Sequence, residues 1–190
     1  MVRITEKGGN KVRDGYDIKQ AILIGKQSKS DGDFFERMID DACERYANSG
    51  VALIDKTPEP MKPLKPIGKG KFVACFTKHA QPDYKGTLKG GHSVVFEAKM
   101  TTDIKMLQSR VTEWQLEALQ KHEALGAKTF ILIYFMNYNC CFKIPTKIWA
   151  DMKQYFGRRY VLFNELDNFK VPTSGMRIDF LEDEIGSLQN

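Results

Sequence analysis

The apolar residues of the chain recur with two periods, and the breaks between them set out an order of elements. From Asp33 the residues Phe34, Met38, Ala42 and Tyr46 repeat at helical spacing, with Asp33-x-x-Glu36 as a capping pattern and Asn48-Ser49-Gly50 as a stop. Val51 to Ile54 reads as a short strand. Between Asp55 and Gln81 lie Pro58, Pro60, Pro63 and Pro66 with Gly68 and Gly70, a composition that cannot continue a helix or a central strand. This stretch is expected to project as a loop or arm with little apolar surface, Phe72 to Phe76 forming a strand that returns the chain to the body. Asp83 to Leu88 and Ser93 to Lys99 form a predicted hairpin turned at Lys89-Gly90-Gly91. A second helix is expected from Thr112 through Trp114, Leu116, Leu119 and His122 to Gly126, a C′ glycine. Thr129 to Met136 is continuously apolar, as in a strand buried on both faces, and Cys140 to Ile144 follows as its partner. Pro145 to Phe156 reads as a helix, and after Asn164 only Arg177 to Phe180 suggests a strand. The order predicts an α/β fold: a central mixed β-sheet flanked by helices, with a projecting arm.

Length and charge refine that picture. At 190 residues the chain is most simply one core domain over residues 30–163, with a basic flexible arm at 1–29 and an acidic segment at 164–190. Within the core, residues 57–81 are the projecting arm. Net charge is +5, but the last 27 residues carry six acids against two bases, so the positive excess lies elsewhere. Lys62, Lys65, Lys69, Lys71 and Lys78 fill the arm, a distribution suited to a polyanion and equally to a solvated loop. Cys43, Cys75, Cys140 and Cys141 make no CxxC or Cys/His metal spacing and read as reduced thiols of a cytoplasmic protein. With no leader and no apolar stretch near 18 residues, neither secretion nor a membrane partner is indicated. Tyr84, Trp114 and Trp149 are expected in the core.

The candidate chemistry lies in the predicted hairpin. Pro82-Asp83 is followed, after thirteen residues, by Glu97-Ala98-Lys99. Alternate side chains of a strand share a face, so Glu97 and Lys99 point together while Ala98 turns to a core. Asp83 on the neighbouring segment and Glu97 supply hard oxygen ligands of the kind Mg²⁺ takes, and Lys99 can orient a water or neutralise phosphate charge. That is the spacing of a metal-dependent phosphodiester nuclease. A solvated Glu and Lys on an outer strand face is the plainer alternative, yet the preceding Ser93-Val94-Val95-Phe96 makes the pair end a buried-looking strand, where an unpaired charge is costly.

Taken in order, the residues from about 31 to 145 resemble the RecU-type Holliday junction resolvases, a branch of the PD-(D/E)xK nuclease superfamily. The resemblance rests on Phe35-Glu36 with Tyr46 and Gly50, Lys56-Thr57-Pro58-Glu59-Pro60, Asp83-Tyr84-Lys85-Gly86, Phe96-Glu97-Ala98-Lys99, Gln115, and the apolar strand at 130–135. It implies a restriction-endonuclease-like core, a homodimer with one site per subunit, and Mg²⁺-dependent paired incisions in a four-way DNA junction, with Mn²⁺ as a substitute metal. By the same resemblance Asp83 and Glu97 are metal ligands and Lys99 the catalytic lysine. Glu36 matches a first-helix acid that assists the metal, and Gln115 a polar helix residue facing the site. Each has a plainer reading as a capping box, with Asp33 and Thr112 respectively. The arm matches a stalk that enters the junction centre, and Lys62, Lys65, Lys69, Lys71, Lys78 and Lys85 are the expected DNA contacts. Here the arm is short and its bases are all lysine, with no counterpart to the family's junction arginines. His79 and His92 flank the motif, where a histidine could serve as proton donor or phosphate contact, although loop histidines are usually only solvated. Two other functions remain open: a less selective nickase or flap nuclease of a mobile element, and a non-catalytic DNA-binding recombination factor. A recombinase is a further expected partner.

Overall fold

In the computed structural model, residues 32–58, 60–76 and 81–182 are described. The chain divides into two units, Met1–Phe34 and Phe35–Asn190, and the sheet and its core belong to the second. The arm expected at residues 1–29 lies outside the described residues, as do Lys78 and His79.

Helix α1 (residues 32–48) buries Phe35, Met38, Ile39, Ala42 and Tyr46, a stripe at i, i+3, i+4, i+7 and i+11. The inward stripe thus begins at Phe35 rather than Phe34. The helix already includes Gly32, so Asp33 is not its N-cap and the expected Asp33–Glu36 capping box does not form the start. Gly50, at φ 67°, ends the helix in the left-handed region, which costs glycine nothing.

A six-stranded sheet follows, made of β1 (Ala52–Lys56), β4 (Tyr84–Leu88), β5 (Ser93–Thr101), β7 (Lys128–Phe135), β8 (Cys140–Pro145) and β10 (Lys170–Val171), lying side by side in that order. Only β5 and β7 pair in parallel; their connection carries α2 (Glu113–Ala124), which packs on both. This is the mixed sheet with flanking helices that the order of elements predicts. Gly86 lets β1 close on β4: a Cβ there would stand 2.2 Å from the Leu53 carbonyl oxygen.

The two faces of the sheet differ. Tyr84, Phe96 and Phe130 stack ring on ring at 4.9 and 4.7 Å on the α1 face, and Phe35 stacks on Tyr134. Ile131, Ile133 and Phe135 point the other way, into a core with Val95, Leu119, Phe142, Trp149 and Met152. Strand β7 is therefore buried on both faces, as its unbroken apolar run requires. The segment expected as one helix at 145–156 is two, α3 (Thr146–Ala150) and α4 (Met152–Phe156), separated by Asp151.

Two further regions differ from the sequence pattern. Residues after Asn164 carry only short strands, β11 (Thr173–Ser174) pairing β12 (Arg177–Ile178), yet Leu166, Val171, Ile178, Phe180 and Leu181 are buried, with Phe180 against Tyr46, Phe96 and Phe130. Acidic composition hid this, because the apolar residues are too sparse to show a period. The proline-rich arm is a hairpin of β2 (Met61–Gly68) and β3 (Lys71–Phe76), paired with each other alone. Pro63 and Pro66 are tolerated because β2 has a partner on one side only and the register shifts beside both prolines. Nor is the arm poor in apolar surface: Met61, Leu64, Ile67, Phe72 and Val73 are all exposed. A small pair of strands, β6 (Lys105–Leu107) and β9 (Tyr160–Leu162), completes the described strands.

Candidate active site

The site forms where β4 begins and β5 continues past it. Tyr84 pairs with Phe96, so the residue before Tyr84, Asp83, stands beside Glu97. Beyond that row β5 has β7 on one side but no β4 partner on the other, and the part-buried Ala98 N–H donates to Asp83 Oδ2 at 3.0 Å. The Asp83 carbonyl in turn accepts from Thr57 N–H at 2.8 Å, just past the end of β1. Asp83 is thus held from both its neighbours, main chain by β1 and carboxylate by β5.

Since Tyr84 and Phe96 face α1, Asp83, Glu97 and Lys99 face α2. Lys99 Nζ lies 2.8 Å from Glu97 Oε2 and 3.3 Å from Asp83 Oδ2, joining the two carboxylates. From α2, Gln115 Nε2 donates to Glu97 Oε2 at 2.6 Å. Gln115 Oε1 meanwhile accepts from Thr112 N–H at 3.0 Å, completing a capping box. Both roles of Gln115 hold at once, because the two ends of one amide are used separately: the oxygen caps the helix and the nitrogen reaches the site.

Glu97 is 0% exposed and its Oε1 has no hydrogen-bond partner. Burial pushes its pKa up to about 8; Lys99 opposes this and repulsion from Asp83 adds to it. Such an acid is strained as a carboxylate and gains from a cation beside it. The donor set suits Mg²⁺: two hard carboxylates, with further positions left for water and phosphate oxygen. Among the described residues no group of three or more His, Cys, Asp or Glu converges.

The remaining expected residues lie apart from this cluster. Glu36 pairs with Lys56 Nζ at 2.5 Å. Lys56 shares the register row of Tyr84, so the pair sits on the α1 face, opposite to Glu97 and Lys99. His92 is exposed beside the β4–β5 turn, at the far end of the hairpin from Asp83. Lys85 is on the α2 face, its Nζ 2.7 Å from Gln81 Oε1, while Lys62, Lys65, Lys69 and Lys71 are exposed on the β2–β3 hairpin. Tyr84 and Trp149 are core residues as expected, but Trp114 is 59% exposed. Its helix faces the sheet through Gln115, Leu119 and His122, which turns Trp114 to the side, and spacing alone could not tell the two stripes apart. The Ala98 main-chain donor is invisible in sequence because it depends on β4 ending first.

Residues 30–183 match the family model described as RecU, Recombination protein U. The chain belongs to the RecU family. Among RecU relatives, the Holliday junction resolvase RecU of Pediococcus pentosaceus is 29% identical over 73% of this chain and 71% of its own length. That of Streptococcus gordonii is 29% identical over 58% of each chain, and that of Lactococcus lactis 28% identical over 67% of this chain and 61% of its own. Hjc of Archaeoglobus fulgidus, a Holliday junction resolvase of known structure, superposes with a TM-score of 0.39 at 14% identity, covering 60% of this chain and 78% of that one. Among the described residues no helix is long and apolar enough to cross a membrane.

The raised pKa of Glu97 gives a stability test with a defined sign. Between the ordinary carboxylate value of 4.5 and about 8, the folded chain holds a proton on Glu97 that the unfolded chain has released. Folding stability from this group is therefore full below about 4.5 and is lost as pH rises through about 8. Metal-free urea melts at pH 5 and pH 8.5 are expected to show this decline in the wild type and a shallower one in Glu97→Gln. Equal slopes would show that Glu97 does not titrate differently on folding.

Proposed function

We propose that the chain is a metal-dependent endonuclease that resolves four-way DNA junctions by paired strand incisions, acting as a homodimer. The observation that carries the nuclease chemistry is the buried Glu97 carboxylate, one oxygen unpartnered, set beside Asp83 and bridged by Lys99. Family membership and the relatives' names support the four-way junction as substrate.

In this reading Asp83 and Glu97 would hold Mg²⁺, with Mn²⁺ as a substitute, which would supply Lewis-acid polarisation of a phosphate oxygen and activation of a water at this position. The rest falls to the chain's own groups. Gln115 keeps Glu97 Oε2 in place by a bond whose donor is itself fixed by the helix cap. The Ala98 N–H does the same for Asp83. Lys99 orients the nucleophilic water and offsets charge that builds on the phosphate oxygens, at a site where burial strengthens its field. Glu36, paired with Lys56 across the sheet, is left a supporting role in placing the end of β1 rather than a ligand's role.

The lysine-bearing β2–β3 hairpin is the proposed junction contact, supported by its exposure and its separation from the main sheet. Replacing Lys62, Lys65, Lys69 and Lys71 by Ala should lower junction affinity and reduce the salt slope by about 0.9 for each phosphate no longer neutralised, with little change in Tm. An unchanged slope would remove the hairpin from the interface.

Incubating the pure protein with a labelled four-way junction, a matched duplex and a flap, with and without Mg²⁺, tests the whole reading. Symmetric paired cuts of the junction, dependent on metal, are expected. Single nicks in all three substrates would favour the nickase, and binding without cutting a DNA-binding factor. Sedimentation should give about twice the chain mass of 21.7 kDa.

A further inference from the structure

A groove of about 340 Å³ lies beside the catalytic cluster, between the start of β4 and the side of α2, and the chemistry above does not use it. Gln81, Pro82 and Lys85 form one wall, and Trp114, Ala118, Lys121 and Leu125 line the other with His122. Trp114, Ala118 and Lys121 on α2 and Leu125 at its C-cap recur at i, i+4, i+7 and i+11, one stripe round from Gln115 and Leu119. The groove adjoins the cluster through both of its walls. Gln81 and Pro82 lead directly into Asp83, and Trp114 precedes Gln115, whose side chain reaches Glu97.

Its surface suits a nucleotide. Trp114 and Leu125 stand 59% and 88% exposed along one stripe. Lys85 brings positive charge to the opposite wall, where it also acts on His122. Lys121 adds a second ammonium, shared with Glu117 at 2.8 Å. Because Pro82 adjoins Asp83 and Trp114 adjoins Gln115 in the chain, a phosphodiester held at Asp83 and Glu97 would have this groove beside it. An aromatic plane beside an ammonium is what a splayed base and its phosphate require.

We propose that the groove receives a nucleotide adjoining the scissile phosphate, with the Trp114 indole stacking on its base and Lys85 facing its backbone. The inference rests on the nuclease reading and deepens it, making Trp114 a residue that selects DNA whose bases are unstacked, as at a branch point. Every base has a π-face, so the stacking carries no sequence preference.

Tryptophan emission offers a direct readout, since the only other tryptophan, Trp149, is fully buried. The probe is the Asp83→Asn full-length protein, metal-free, titrated with a four-way junction carrying 2-aminopurine beside the cut position and with the matched duplex. The junction is expected to quench Trp114 emission strongly and the duplex weakly. Trp114→Ala should lose junction affinity on the order of tenfold and raise KM more than it lowers kcat in the otherwise wild-type enzyme, with Trp114→Phe recovering most of both. Junction binding with undiminished Trp114 emission and unchanged affinity in Trp114→Ala would overturn the groove assignment while leaving the nuclease reading intact. Failure of every variant to bind or cut DNA would overturn both.

Discussion

Asp83→Asn and Glu97→Gln are each expected to reduce cleavage to about a thousandth of wild type or less while junction binding is kept or strengthened. Both changes preserve shape. The amide introduced by Asp83→Asn still offers an oxygen to the Ala98 N–H, and that introduced by Glu97→Gln still offers one to Gln115 and Lys99, so the fold has no reason to give way. What each removes is one of the two negative charges proposed to hold the metal. Polarisation by a bound ion is worth several kcal/mol, and ~4 kcal/mol is about a thousandfold in rate. Binding should not suffer, because a carboxylate facing DNA phosphate repels it until a cation lies between them. Single-turnover cleavage beside gel-shift titration separates the two effects. Either variant cutting near the wild-type rate with Mg²⁺ would remove that residue from the site.

Lys99→Ala is expected to lower kcat by about 10²-fold, on the scale of a lost electrostatic stabiliser. Its ammonium touches both carboxylates, so its loss has a second consequence. Asp83 and Glu97 are left facing each other without a cation, and Glu97, already pushed up to about 8 by burial, is pushed higher. Above that range both acids are free to take metal, and the half-saturating Mg²⁺ concentration should fall, because a competing positive charge has gone. The joint outcome of slower chemistry and no weaker metal dependence distinguishes Lys99 from the two proposed ligands. If raising Mg²⁺ restored the wild-type rate, Lys99 would be acting only to assemble the metal site.

Much of the site was open to reading because strand period and hairpin register are local rules. Alternation puts Glu97 and Lys99 on one face whatever surrounds them, and a hairpin turned at Lys89-Gly90-Gly91 brings Asp83 to the row of Glu97. The capping box of Thr112 and Gln115 is equally local. The pairing of Glu36 with Lys56 has the same origin in reverse. A helix acid can be named from its place in the chain, but the face of the sheet on which it falls depends on how α1 packs, and here Lys56 takes it on the side away from Glu97.

By itself, then, the sequence determined the mixed sheet, the two-faced burial of β7, and the meeting of Asp83, Glu97 and Lys99, since each follows from periodicity and from turns of a few residues. Tertiary structure decided the rest. It drew the acidic C-terminal segment into the core through Phe180 and Leu181. It turned Trp114 outward over a groove, and it buried Glu97 beside an Ala98 N–H that only the early end of β4 leaves open to Asp83. These outcomes depend on contacts between residues far apart in the chain, and no local pattern encodes the partner that a side chain or main-chain group meets across the fold.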